Sequence, residues 1–138
     1  MISAIDSNIL LDILIPNPAF VDAAVAVVED AASNGALVVS DIVYAEICVH
    51  FINQQDCDSF FSDNRILIEP LTREAHFLAS RAWHRYRAQG GKRTRILADF
   101  LVGAHARLQA DRFITRDRGF YGSLFPGLNI CDPSAQSS

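Results

Sequence analysis

At 138 residues, half of them hydrophobic and a fifth charged, the chain is sized for one globular domain that buries about two-thirds of its unfolded surface, which excludes disordered and fibrous classes. A net charge of −4 lacks the basic footprint of a dedicated nucleic-acid binder, and the longest uncharged run, Gly119 to Cys131, holds Pro126 and three glycines and falls short of the roughly 20 residues of a membrane span. Three cysteines, Cys48, Cys57 and Cys131, without a CxxC spacing, argue against a disulfide framework or a zinc knuckle and fit a reducing cytoplasm.

The first predicted element is a short buried strand, Ile2 to Ile5, that ends on Asp6. Asn17 followed by Pro18 predicts a helix N-cap with proline at the first helical position, and Asn34-Gly35 predicts its stop, with Val21, Ala24, Val25, Val28 and Ala31 as the apolar stripe between them. ALVV, 36–39, reads as the second strand, after which Ser40 caps a helix over DIVYAEICVHFIN that carries Glu46. A short helical piece around DSFF precedes the strand ILIE, which Pro70 terminates. Thr72 caps a long helix that ends at Gly90-Gly91, and RTRILADFLVGAHARLQA restarts helical spacing through Ile96, Leu97, Phe100, Leu101, Ala104 and Leu108. RFIT, 112–115, and LNIC, 128–131, are the last strands. Strands separated by helices imply parallel pairing with right-handed crossovers, hence one α/β/α sandwich with a central, mainly parallel five-stranded sheet over residues 1–133 and a short polar tail, 134–138. The absence of a basic segment before the first apolar stretch, which Asp6 and Asp12 interrupt, predicts no targeting signal.

In an open parallel sheet, ligands bind outside the carboxyl ends of the strands, where strand order reverses. Asp6 follows the first strand, Asp117 follows RFIT, Glu46 lies in the helix after the second strand, and Asp99 lies near the start of the helix leading into the fourth. Each has a structural alternative: Asp6 as a turn cap through Ser7 and Asn8, Asp99 as a first-turn dipole partner, Asp117 as an Asx-turn before Gly119. The apolar neighbours Ala45, Ile47 and Val49 predict a largely buried setting for Glu46. Carboxylates converging on one edge repel, so their pKa values rise or a cation binds, and an oxygen-only set points to Mg²⁺ or Mn²⁺ rather than zinc. His50, His76, His84 and His105 show no zinc-ligand spacing and are expected in structural or surface roles.

AIDSNILLDIL, DIVYAEI, RILADFLVGAHA and ITRDRGFYGSLFPGLNI, in that order, resemble the successive motifs of PIN-domain ribonucleases, nearest the VapC-like toxins of toxin–antitoxin modules. The resemblance implies metal-dependent hydrolysis of RNA phosphodiesters, with the family's four acidic positions on Asp6, Glu46, Asp99 and Asp117, its polar residue before the last acid on Thr115, and its Thr/Ser-Asn pair on Ser7 and Asn8. Asp6 and Asp99 would hold the main ion, Asp117 and Glu46 would complete the site, and Ser7, Asn8 and Thr115 would orient them. A homodimer and a cognate antitoxin that sends a basic side chain into the acidic pocket are implied likewise. Six of the 12 basic residues fall between Arg81 and Arg95. Of these, Arg85, Lys92, Arg93 and Arg95, together with Arg116 and Arg118, are the expected RNA contacts, the alternative being a solvated helix face. Phe120 and Tyr121 offer base stacking, with packing as the competing role, and packing also explains Trp83 and Tyr86.

Two other readings compete. Receiver domains also gather aspartates and Mg²⁺ on a parallel sheet, but they carry an acidic pair after the first strand and a lysine after the last. Here Ser7 follows Asp6, and the only lysine is Lys92. A PIN domain serving as an RNA-processing enzyme outside toxin–antitoxin systems, or as a catalytically silent RNA-binding module, would keep the same fold.

Overall fold

A computed structural model describes residues 1–135; of the predicted tail, 136–138 lie outside the described residues. Five strands form one sheet: β1 (Ser3–Ile5), β2 (Leu37–Ser40), β3 (Ile66–Glu69), β4 (Arg112–Ile114) and β5 (Ile130–Cys131), in the order β3-β2-β1-β4-β5. Every pairing is parallel, with Ser3 opposite both Leu37 and Arg112. The chain builds outward from β1 to β3 on one side and then returns to add β4 and β5 on the other. Strand order therefore reverses between β1 and β4, which places the crevice beside Asp6 and Thr115. β1 and β2 are buried at every position, as strands covered on both faces must be, whereas β3 is an edge and leaves Leu67 and Ile68 exposed.

Among the described residues seven α-helices complete the α/β/α sandwich: α1 (Ser7–Leu14), α2 (Val21–Ser33), α3 (Asp41–Cys48), α4 (Gln54–Asp63), α5 (Arg73–Ala88), α6 (Leu97–Gln109) and α7 (Arg118–Leu124). The predicted caps at Ser40 and Thr72 are in place: their hydroxyls accept from the Val43 and Ala75 amides at 3.2 Å each. Ala75, Ala79 and Ala82 give α5 a buried small-residue stripe along which α6 packs closely. Phe61, Phe100, Phe113, Ile5, Ile9 and Leu10 are among the largest fully buried side chains.

Four local expectations change. Asn17 caps a turn rather than a helix: its Oδ1 accepts from the Ala19 amide and its carbonyl from Phe20 and Val21, and α2 begins only at Val21. The predicted helix over DIVYAEICVHFIN stops at Cys48, because Asn53 opens a new helix by accepting from the Asp56 amide. That new helix, α4, extends the short piece expected around DSFF. Two helices, α1 and α7, are additional; α7 fills what reads as a glycine-rich turn.

Candidate active site

Asp6 takes the capping role that its position allows, and its second oxygen is held as well. As the N-cap of α1 its Oδ1 accepts from the Ser7 amide at 2.8 Å, and its Oδ2 accepts from the Thr115 hydroxyl at 2.7 Å. Thr115, fully buried just past β4, also accepts from the Asn8 amide at 3.4 Å and from the Asp117 backbone amide at 3.0 Å. Asn8 Nδ2 lies 3.4 Å from Asp6 Oδ2, and its Oδ1 accepts from the Arg116 amide at 3.3 Å. These bonds fasten the ends of β1 and β4 together around one carboxylate. Asp6 is only 5% exposed, and burial pushes its carboxyl up to about 6. The Thr115 and Ser7 bonds oppose that rise, and the charges of Glu46 and Asp117 add to it.

The other three acids approach from three helices. Asp99 sits in the first turn of α6, half-buried, where its Oδ2 accepts from the Ile96 amide at 3.0 Å. Glu46 is exposed, not buried as its neighbours suggest: α3 turns only Val43 and Ile47 inward, and Val49 is 80% exposed. Partial burial nevertheless raises the Glu46 carboxyl, with Asp99 adding and the Ser7 side chain opposing. Asp117 opens α7 without a side-chain cap; its oxygens instead take both arms of Arg95, at 2.6 and 3.2 Å. The buried phenol of Tyr121 is pushed up by desolvation first and then by the charges of Asp6, Asp99, Asp117 and Glu46.

The expected basic residues divide into two groups. Arg85, Lys92, Arg93 and Arg118 are exposed, whereas Arg95 and Arg116 are engaged. Arg95 lies over the Phe120 ring at 3.9 Å while it grips Asp117. Arg116 clamps Asp12, itself 4% exposed, at 2.7 and 3.1 Å and stacks on Phe20 at 4.0 Å. Tyr121 packs edge-on against Phe113 and Phe120, and Tyr86 packs against Phe100. Among the histidines only His105 is buried, 2.7 Å from Glu69 Oε1. Sequence reasoning leaves out Asp12 as a partner and Tyr121 as a buried phenol on which the charge of all four acids acts. The one signal for Asp12 is a charge inside the apolar run ILLDIL, which a fold tolerates only with a buried counter-charge.

The residues fit a divalent cation by the chemistry of their donors. They offer carboxylate oxygens backed by a hydroxyl and an amide, and a guanidinium already stands as the counter-charge on Asp117. As they stand, no group of three or more His, Cys, Asp or Glu side chains among the described residues is arranged to hold an ion.

The PIN domain family matches residues 4–122. A chain in the structure of VapBC2 from Rickettsia felis bound to a DNA fragment from their promoter is similar, with TM-score 0.74 and 20% identity over 96% of this chain and 98% of that one. VapBC-1 from nontypeable Haemophilus influenzae gives TM-score 0.72 and 19% identity over 97% and 99%. FitAcB from Neisseria gonorrhoeae gives 0.64 and 20% over 98% and 99%. At these identities the likeness is one of fold. No curated protein matches the chain.

Proposed function

The chain belongs to the PIN-domain family, a family of nucleases, and from that premise we propose that it is a metal-dependent endoribonuclease that hydrolyses RNA phosphodiester bonds as the toxin of a VapBC-type pair. The observation that carries this reading is that Asp6 and Asp117 follow the two strands between which the sheet order reverses, while Glu46 and Asp99 on α3 and α6 act through their charge on the same buried groups. Asp6 and Asp99 would be the main ligands of Mg²⁺ or Mn²⁺, with Asp117 and Glu46 completing the set, and the ion when bound would supply an activated water and a counter-charge for attack on phosphorus.

The chain's own residues set the geometry. Thr115 and Ser7 hold Asp6 by its hydrogen bonds, so its carboxylate is oriented before any ligand arrives. Asn8 ties that carboxylate to the Thr115–Asp117 segment. Asp117 becomes available only when Arg95 swings off it, and the freed guanidinium, still beside Phe120, meets a backbone phosphate. Lys92, Arg93, Arg85 and Arg118 draw in the flanking phosphates, while Arg116 positions the loop through Asp12.

A partner antitoxin is supported by the similar structures, which are VapBC and FitAcB complexes. We assign the chain to a cytoplasmic homodimer that this partner silences. No helix among the described residues is long and apolar enough to cross a membrane.

The test is cleavage of single-stranded RNA by purified, partner-free protein with Mg²⁺ or Mn²⁺ and with chelator, beside Asp6→Asn and Asp99→Asn. Cleavage that needs the ion and falls at least about 100-fold in both variants supports the assignment, as expected for removing groups that act on charge in the transition state. RNA binding without ion-dependent cleavage would instead make the protein a silent RNA-binding module.

A further inference from the structure

The turn that ends α3 early has a second effect, away from the acids. The His50 and Phe51 amides fold back onto the Ile47 and Cys48 carbonyls, and Asn53 starts α4 in the return direction. Cys57 is thereby carried opposite Cys48, with the two sulfurs 3.3 Å apart. Both are free thiols, Cys57 buried and Cys48 half-buried. They lie on the wall of an open hollow of about 440 Å³, with Tyr44, Phe51, Asn53 and Gln54.

We propose that Cys48 and Cys57 are a reversible thiol–disulfide pair, a modification site at which a small disulfide of the glutathione type enters the hollow and leaves α3 covalently tied to α4. The sulfurs need to approach by only about 1.3 Å to reach bonding distance. In the first exchange the Cys48 sulfur attacks the small disulfide, forming a mixed disulfide and releasing one small thiol. In the second the Cys57 sulfur attacks Cys48, forming the internal disulfide and releasing the other small thiol. Two protein thiols are oxidised, one small disulfide is reduced, and both protons leave on the released thiols.

Access sets the order, since Cys48 is reached from the hollow and Cys57 is 1% exposed. Burial, with the neighbouring Cys48 sulfur, pushes the Cys57 thiol up to about 12, which makes ring closure the slower exchange. In a reducing compartment a pair of this kind is transient and responsive rather than a structural staple. The third thiol, Cys131 on β5, stands apart from the pair.

The experiment takes the full chain carrying Cys131→Ser, equilibrates it with oxidised and reduced glutathione at graded ratios, blocks remaining thiols by alkylation, and reads intact mass and peptide maps. The expected product has lost two hydrogens, yields a Cys48–Cys57 cross-linked peptide, and reverts with dithiothreitol. Adding Cys57→Ser should trap glutathione on Cys48, and adding Cys48→Ser should leave Cys57 free while the circular dichroism stays native. If either variant fails to fold, the cross-linked peptide of the parent decides alone. A parent that ends with glutathione on Cys48, with a cross-link between chains, or with both thiols alkylated at oxidant levels that modify Cys131 in the wild type overturns the proposal.

Discussion

At the scale of single residues, Asp6 shows how one carboxylate is a fold element whose burial also moves its ionisation. Its ionised form is held by hydrogen bonds from Ser7, Asn8 and Thr115, yet the loss of water outweighs them and moves its pKa from 3.8 to about 6. Below 3.8 the carboxyl is protonated in folded and unfolded chains alike. As pH rises, the unfolded chain ionises first and the folded chain pays a growing penalty, until both are ionised above about 6. The shift corresponds to about 3 kcal/mol of stability lost across that window in protein kept free of divalent ions. We expect the melting temperature of Asp6→Asn, relative to wild type in chelator, to climb between about pH 4 and 6 and level off above 7. A difference that does not change with pH would show that desolvation is not what raises this group. The neighbouring prediction concerns Arg95, whose two bonds to Asp117 compete with any cation there. Titrating RNA-free protein with Mn²⁺ by calorimetry, we expect Arg95→Ala to bind more tightly, by about 3- to 10-fold, since a half-exposed ion pair of this kind is worth about 1 kcal/mol. Asp6 at a strand end is visible in the sequence, but the Arg95–Asp117 pair is not. Arg95 and Asp117 are 22 positions apart, and only the packing of the α5–α6 turn against Phe120 brings them together.

At the scale of elements, the sequence is legible where period and punctuation agree. Ser40, Thr72 and the apolar stretches of β2, β3 and β4 fall where capping and strand patterns put them. It is less legible in α1 and α7. α1 is an eight-residue segment that buries Ile9 and Leu10 and also Asp12, so its polarity does not sort cleanly by face. α7 contains Gly119 and Gly122, and its helix is held by tertiary packing, with Tyr121 buried against Phe113. Gly103 has a similar tertiary cause. It lies one turn after Asp99 on α6, and a Cβ there would sit 2.4 Å from the ring of Phe125, which is buried just past α7. This close approach sets the helix bearing Asp99 against the one opened by Asp117. In a free helix Gly→Ala would gain about 1 kcal/mol, whereas overfilling this contact costs about 1–3 kcal/mol. Gly103→Ala is therefore expected to lower stability by about 1 kcal/mol, seen as a lower urea midpoint with unchanged m. A rise in the midpoint would mean that Phe125 moves aside freely.

At the scale of the whole molecule, charge and topology pull in opposite directions. The parallel sheet gathers four acids at one edge of a chain that already carries a net charge of −4, so the molecule as a whole repels a polyanion. The proposed RNA binding would then come from a local path of cations, and the structure separates those that are exposed from those already committed. Lys92 and Arg93 are exposed in the turn leading to Arg95, while Arg116 is spent on buried Asp12. Counterion release makes this measurable, because each phosphate neutralised on a single strand contributes about −0.7 to the slope of log affinity against log salt. With the non-cleaving Asp6→Asn protein and a short single-stranded RNA at fixed Mg²⁺, we expect Lys92→Ala and Arg93→Ala each to flatten that slope by about 0.7. Arg116→Ala should instead leave the slope unchanged while costing about 3 kcal/mol or more of stability, since it strands a buried carboxylate. Should Arg116→Ala flatten the slope and the turn variants leave it unchanged, the strand would run across the β1–β4 side of the crevice, and the α5–α6 turn would serve only to deliver Arg95 to Asp117.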